Sequence, residues 1–136
     1  MDYQDHCIGV GRLWGSLQSL EVTLRIFLTQ AKLSKNYVIK RAYLSDLVNK
    51  YNDQLSKDEQ SLYSVEASVV KIRNALAHGL VSGKMNGFPR TLLHVASGLE
   101  VEMTVKWFGD QQTLVQEQID RISACGKRRW QSPWWR

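Results

Sequence analysis

Three polar residues near the middle of the chain have the types and spacing of a group that binds a phosphodiester and moves protons. They are Arg73, Asn74 and His78, within the segment Lys71–Gly79. An arginine offers a planar pair of donors that matches phosphate oxygens, and a histidine can take or give a proton near neutrality. In a helix Asn74 and His78 are one turn apart, so they can form a hydrogen bond. Arg73 lies about 140° round from His78, but its long side chain can reach the same helix end.

The same trio also has an ordinary structural interpretation. Cations are common in the last turn of a helix because they interact favourably with the C-terminal end of the helix dipole. The apolar stripe through Ile72 and Leu76 points elsewhere on the helix, so the polar residues are not simply core material. Ala75 and Ala77 are small and let a second backbone or a substrate approach closely. Spacing alone leaves both interpretations open.

The elements that must position the trio are predicted from apolar residues that recur at steps of three and four. The predicted helices span Val10 to Ala31, roughly residues 38–55, and about twenty residues that end at His78. Ser56 or Asp58 is the candidate N-cap of the third helix, and Gly79 is its candidate left-handed C-cap.

The pattern changes after the third helix. Leu80 to Arg90 contains two glycines and a proline, which predicts an irregular connection. Alternating apolar residues on either side of Ser97-Gly98 predict a two-stranded hairpin, and Thr104 is the candidate N-cap of a last helix. We therefore expect a mainly α protein, a four-helix bundle with a small β-hairpin inserted before the last helix.

The net charge of +5 is concentrated at the C-terminus. Four of the eighteen lysines and arginines lie in residues 127–136, which leaves fourteen basic against thirteen acidic residues elsewhere. We predict a helical domain over residues 1–126 and a basic, tryptophan-rich tail over 127–136. Indoles can stack on single-stranded bases while cations meet phosphates, whereas packing or disorder is the alternative. The candidate RNA-binding residues are Lys127, Arg128, Arg129 and Trp130.

Composition predicts a cytoplasmic protein without a metal or another cofactor. No apolar run approaches the ~20 residues of a membrane span, and acids stand near the start where a signal peptide carries positive charge. Cys7 and Cys125 are far apart, which favours a reducing compartment over a disulfide scaffold, although a single bridge is the alternative. Nothing completes a zinc set around His6 and Cys7.

Two further polar residues are weaker candidates. Glu21 interrupts the first helix and can approach Arg73, but an exposed helical glutamate is the simpler interpretation. His94 lies in the predicted hairpin and is most simply an ordinary strand residue.

The segment Arg73-Asn74-Ala75-Leu76-Ala77-His78-Gly79 resembles the R-x(4–6)-H signature of HEPN domains, in its R-N-x-x-x-H form. The resemblance covers about residues 8–124. It includes the long first helix with Leu20-Glu21 and the place of the motif at the end of the third long helix. It implies a homodimer whose two motifs face each other, often acting as a metal-independent endoribonuclease in toxins or antiviral effectors.

The implied reaction assigns a role to each residue of the motif. Attack by a ribose 2′-hydroxyl on the adjacent phosphate needs a base, an acid and a cation for the developing charge. His78 would handle protons, Arg73 would bind the phosphate, and Asn74 would orient one of them. One subunit has a single His78, so a two-fold axis near the motif would supply the second. The need for a 2′-hydroxyl restricts cleavage to RNA.

Two features leave the activity open. In HEPN toxins paired with nucleotidyltransferase antitoxins a tyrosine commonly lies two residues after the histidine. This chain has Leu80 at that position, which argues against control by modification of a tyrosine. An antitoxin or another regulatory partner is the partner that the resemblance implies. Some relatives, including proteins resembling the mannitol-operon repressor, are regulators rather than nucleases. The alternative function is thus a non-catalytic regulator or scaffold that binds nucleotide or nucleic acid. A third is an accessory protein that binds nucleic acid through its tail.

Overall fold

The computed structural model describes residues 1–32, 42–83 and 87–130. By its contacts the chain divides into two compact units, which are described separately. Unit 1 consists of Met1–Leu17 and Ser68–Val115, and unit 2 consists of Gln18–Ala67 and Gln116–Arg136. The motif lies in unit 1.

Helix α1 spans Tyr3–Gln30. The stripe that predicted it is buried: Leu13, Leu17, Leu20, Leu24 and Phe27 are each at most 2% exposed. Burial of one apolar side chain of this size contributes roughly 1.5–3 kcal/mol relative to exposure, so the stripe stabilises the helix far more than local propensity does. The prediction of a long first helix is confirmed.

The second predicted helix is α2, Leu44–Asp53, with Leu44, Leu47, Val48 and Tyr51 buried. The start expected for it near residue 38 lies outside the described residues. Helix α3 spans Lys57–Tyr63 and begins with a capping box. Ser56 Oγ accepts from the Glu59 N–H, and the Glu59 carboxylate accepts from the Ser56 N–H. The Ser56 cap that the sequence offered is therefore confirmed.

The third predicted helix is wrong as a single element, because the chain leaves the helix after Tyr63 and α4 spans only Ser68–His78. Side chains of α2 take over the backbone groups at the break. Tyr51 Oη donates to the Tyr63 carbonyl at 2.8 Å. Asn52 accepts from the Val65 N–H and donates to the Val65 carbonyl, both at 2.9 Å. These bonds satisfy groups that a continuous helix would otherwise pair internally.

Unit 1 contains an antiparallel sheet of three strands in the order β1-β2-β3. The strands are β1 Leu80–Ser82, β2 Thr91–His94 and β3 Leu99–Glu102. The hairpin of β2 and β3 was predicted, and a 3₁₀ turn at Val95–Ser97 with Gly98 at φ 68° joins its strands. Strand β1 was not predicted. Its three residues are all exposed, so buried and exposed positions do not alternate along it.

The last helix, α5, spans Val105–Trp130. The Thr104 hydroxyl accepts from the Trp107 N–H at 3.0 Å, which confirms the predicted cap. Lys127, Arg128, Arg129 and Trp130 form the last turn of α5, so the segment assigned to a tail begins inside the helix; residues 131–136 lie outside the described part. The fold class is mainly α with a small antiparallel sheet, as expected.

Candidate functional site

Helix α4 carries the motif and is anchored by its apolar face. Val69, Ile72 and Ala75 are buried, and the helix ends where the Gly79 N–H donates to the Ala75 carbonyl at 2.7 Å. Ala75 is fully buried, so the protein's own packing and not a substrate approaches this small side chain. The first strand starts at Leu80, so the chain runs directly from the motif into the sheet.

Arg73 and Asn74 are half-buried neighbours that contact each other. Arg73 Nη1 donates to Asn74 Oδ1 at 3.4 Å. The Asn74 amide oxygen, which was expected to bond with His78, therefore accepts from Arg73. In the described part of the chain no hydrogen bond joins Asn74 to His78, so the expectation of that bond is wrong. The amide instead holds the guanidinium.

His78 is exposed in the last turn of α4. Within the chain, the motif therefore consists of Arg73 bonded to Asn74 and of the His78 imidazole, one turn after Asn74, which is exposed to solvent.

Gly79 ends the helix for a different reason from the one predicted. It does not have a positive φ, so it is not a left-handed cap. A Cβ at this position would lie 2.9 Å from Leu92 Cδ1 and 3.0 Å from the Leu93 carbonyl oxygen. Only glycine lets the end of α4 approach β2 this closely.

This approach brings a second histidine to the same end of the helix. Leu80 pairs with Leu93, so the next position of the register sets Gly79 opposite His94. His94 Nδ1 lies 2.6 Å from Ser97 Oγ, and Ser97 Oγ also donates to the His94 carbonyl at 3.3 Å. The sequence predicted only an ordinary strand residue at His94. It did not show that His94 lies opposite Gly79, because β1, the strand that pairs with β2, was not predicted.

The predicted RNA-binding residues divide into two pairs. Lys127 and Arg128 are exposed. Arg129 is instead engaged with Glu59, with Nε 2.9 Å from one carboxylate oxygen and Nη2 2.6 Å from the other, and it also donates to the Gln54 side chain. Trp130 packs on Phe27 with ring centroids 4.7 Å apart. The helix therefore presents two cations to solvent and uses its last two residues for packing in unit 2.

The bonds around Glu59 alter the titration of two groups. Hydrogen bonds from Arg129 lower the pKa of Glu59 to about 2 against the opposing effect of burial. Burial raises the pKa of Cys125 to about 11, and its Sγ lies 3.6 Å from a Glu59 oxygen. Both groups are thus held in one protonation state across the physiological range, which is the behaviour of a structural cluster.

His6 is the third histidine, and it is packed. Its ring lies 5.5 Å from the Phe88 centroid and 6.0 Å from that of Phe108. Burial first and the nearby Arg90 second lower the pKa of His6. Glu21 accepts a hydrogen bond from Arg25 at 3.3 Å within α1. Its side chain is only 23% exposed, so the expectation of an exposed glutamate is wrong.

The described residues contain neither a metal-binding cluster nor a helix suited to cross a membrane. No group of three or more His, Cys, Asp or Glu side chains is arranged to hold a metal ion. None of the helices in residues 1–32, 42–83 and 87–130 combines the length and the apolar character that a membrane crossing requires.

Comparison with known proteins adds no relative. No family model, no curated protein and no solved structure matches this chain.

Proposed function

We propose that this chain is a HEPN-like, metal-independent endoribonuclease of the cytoplasm that works as a homodimer, with a toxin or antiviral-defence role. The observation that carries the proposal is the exposed imidazole of His78 at the end of α4, five residues after Arg73, whose guanidinium contacts Asn74. A positioned cation and an accessible proton carrier are two of the groups that phosphodiester cleavage needs.

The proposed reaction needs only groups of the protein and the RNA. A base takes the proton of a ribose 2′-hydroxyl, and the 2′-oxygen forms a bond to the adjacent phosphorus. The bond from phosphorus to the 5′-oxygen of the next nucleotide breaks, and an acid returns a proton to that oxygen. Arg73 binds the phosphate oxygens through its planar fork, and His78 transfers protons.

The homodimer is proposed because it sets two motifs side by side. The chain that follows His78 favours a covered surface there, since Leu80 is 68% exposed and Val81 49% exposed on the edge strand β1. Exposed apolar side chains on an unpaired edge are a common contact between subunits. A two-fold axis at this edge brings the two motifs to one side of the dimer.

The experiment that tests the function is incubation of labelled RNA with the protein in EDTA. Wild type is compared with Arg73→Ala, His78→Ala and Lys106→Ala, an exposed cation on α5 bonded to Asp110 at 2.7 Å. We expect His78→Ala to lose about 10²–10⁴-fold in rate and Arg73→Ala about 10²–10³-fold. The Lys106 variant should cut like wild type. If the cleavage rate of His78→Ala equals that of wild type, His78 takes no part in the reaction.

A second candidate function is a non-catalytic regulator or scaffold that binds nucleotide or nucleic acid. It is favoured by the Arg73–Asn74 bond, because the amide that would orient His78 contacts the guanidinium instead. The same assay separates the two functions: a regulator binds RNA in a mobility assay but leaves it uncut, and Arg73→Ala weakens that binding.

Binding through the C-terminal segment is tested without disturbing the fold. Truncation at residue 127 would also delete Arg129 and its contacts with Glu59. The double variant Lys127→Ala/Arg128→Ala changes only exposed cations. An accessory protein that binds through this segment should lose most RNA affinity in the double variant, with a smaller salt dependence, whereas a nuclease should keep its chemical step.

A further inference from the structure

The register of the small sheet brings two histidines to the end of α4, although they are sixteen positions apart in sequence. Leu80 on β1 lies opposite Leu93 on β2. Paired strands are roughly 4.8 Å apart, so the backbone of His94 lies beside that of Gly79, the residue that follows His78. The close approach of Gly79 to the Leu93 carbonyl, 3.0 Å from a Cβ built there, independently places the helix end against this part of β2.

The side chain of His94 is on the side of the sheet that faces α4. Successive residues of a strand point to opposite faces, so His94 shares a face with Leu92. The side chain of Leu92 is fully buried and lies against the end of α4 beside Gly79. The imidazole of His94 is therefore on the helix side, at the open end of the strand, where it is half-exposed.

The contacts of His94 fix one ring nitrogen and leave the other available. Nδ1 is 2.6 Å from Ser97 Oγ, and the Ser97 hydroxyl donates to the His94 carbonyl at 3.3 Å. A hydroxyl has one proton, so when it goes to the carbonyl the oxygen accepts from Nδ1–H. Nε2 then carries the lone pair, and no described residue hydrogen-bonds to it. A fixed ring with an accessible basic nitrogen is the arrangement of a general base.

The surface around the two histidines is open. Val95, directly after His94, is 77% exposed, and the exposed Leu80 lies two residues after His78. Exposed apolar side chains therefore flank the two imidazoles, and a nucleotide has the matching chemistry: its base has an apolar face, and cleavage at its phosphate needs proton transfer.

We propose that His94, oriented by Ser97, is the second proton-transferring group of the ribonuclease site, so that His78 and His94 of one protomer form an acid–base pair. The inference rests on the proposed ribonuclease function. His94 Nε2 takes the 2′-hydroxyl proton as the oxygen bonds to phosphorus, and protonated His78 gives its proton to the departing 5′-oxygen. Dimerisation then doubles the site rather than completing it.

The test separates a catalytic His94 from a structural one. An asparagine at position 94 keeps a donor near the place of Nδ1 for Ser97 Oγ but cannot transfer protons. We expect His94→Asn to keep the thermal midpoint of wild type and to lower kcat on labelled RNA by about 10²–10⁴-fold. The pH–rate profile should lose one of its two limbs, and Ser97→Ala should lower kcat by a smaller factor.

Mixing experiments distinguish failure of this inference from failure of the function. With the pair in one protomer, excess His78→Ala chains leave the rate per wild-type chain unchanged. If His94→Asn cuts like wild type while excess His78→Ala chains suppress the wild-type rate, two His78 residues share one site, so the inference is overturned and the ribonuclease function stands. If wild type does not cut RNA, the function and the inference both fall.

Discussion

Two clusters of polar side chains in this protein have different surroundings, and the contrast separates side chains that hold the fold from an exposed side chain available for chemistry. Arg129 in unit 2 bonds with Glu59 and Gln54, and the side chains of the Arg129–Glu59 ion pair are only 24% and 10% exposed. Arg73 in unit 1 bonds to Asn74, one turn from an exposed histidine. The first cluster is closed to solvent, whereas the second lies beside an accessible proton carrier.

The difference follows from what surrounds each group. The Glu59 carboxylate is met by a guanidinium fork, by the Ser56 N–H and by the Cys125 thiol, so its acceptor capacity is used and its charge is fixed. At the end of α4, by contrast, the His78 imidazole is exposed to solvent. Saturated polar groups stabilise a structure, while accessible ones react.

The largest expected effect is that His78→Ala loses cleavage rate but not stability, whereas Glu59→Ala loses stability but not cleavage rate. His78→Ala should lose about 10²–10⁴-fold in cleavage rate with an unchanged urea midpoint, because the side chain is exposed. Glu59→Ala leaves Arg129 unpaired in a mostly buried site and should cost about 2–4 kcal/mol of unfolding free energy, with the rate per folded molecule unchanged. Urea titration and RNA cleavage on both variants measure this. A stability loss in His78→Ala equal to that in Glu59→Ala would erase the contrast.

Low pH should lower the unfolding free energy because Glu59 becomes protonated. Its pKa in the folded protein is about 2 against an ordinary value of 4.5. A lowered folded pKa means that the stabilisation is complete above pH 4.5 and is lost as the pH falls toward 2. The loss of unfolding free energy should reach up to about 3 kcal/mol. Urea midpoints of wild type and Glu59→Gln should converge over this window; parallel curves would contradict the role given to the ion pair.

A matched pair of glycines tests the close approach at the end of α4. Gly79→Ala places a methyl group against Leu92 and the Leu93 carbonyl and should cost about 1–3 kcal/mol. Gly15→Ala adds a methyl group to α1 where no atom lies within 4 Å and should gain about 0.5–1 kcal/mol. Thermal unfolding of the two variants should shift in opposite directions, and shifts of the same sign would mean that β2 yields to the added methyl group.

The smallest effect concerns the two cysteines. Cys7 is exposed and should react with a thiol reagent within the dead time of native labelling. Cys125 is fully buried with a pKa of about 11, so it should react only as fast as unit 2 opens. Mass spectrometry after a brief labelling pulse should find one label per native chain and two in urea. Two labels on the native protein would show that the Glu59 cluster is open.

Local sequence patterns were sufficient to predict most of the helices. The stripe from Leu13 to Phe27 defines α1 because burial of one face repeats with the helical period. The caps at Ser56 and Thr104 were also readable, since each acts within three residues of itself. The hairpin of β2 and β3 followed from alternation around Gly98. The HEPN-like bundle, by contrast, stays a prediction.

The errors arise where distant side chains replace local bonds. Tyr51 and Asn52 of α2 bind the backbone at Tyr63 and Val65, so a segment with continuous helical spacing is interrupted. Gly79 has the residue type of a left-handed cap but is needed for contact with β2. Neither outcome is encoded within a few residues of the position concerned.

The sequence by itself determined the mainly α class, the helix that bears Arg73, Asn74 and His78, and the type of chemistry those side chains offer, because residue type and helical period are local properties. Only the tertiary structure decided that Arg129 is engaged with Glu59 seventy positions away and that His94 lies beside the end of α4. Strand register and burial depend on contacts between segments far apart in the chain, and no short window of sequence specifies them.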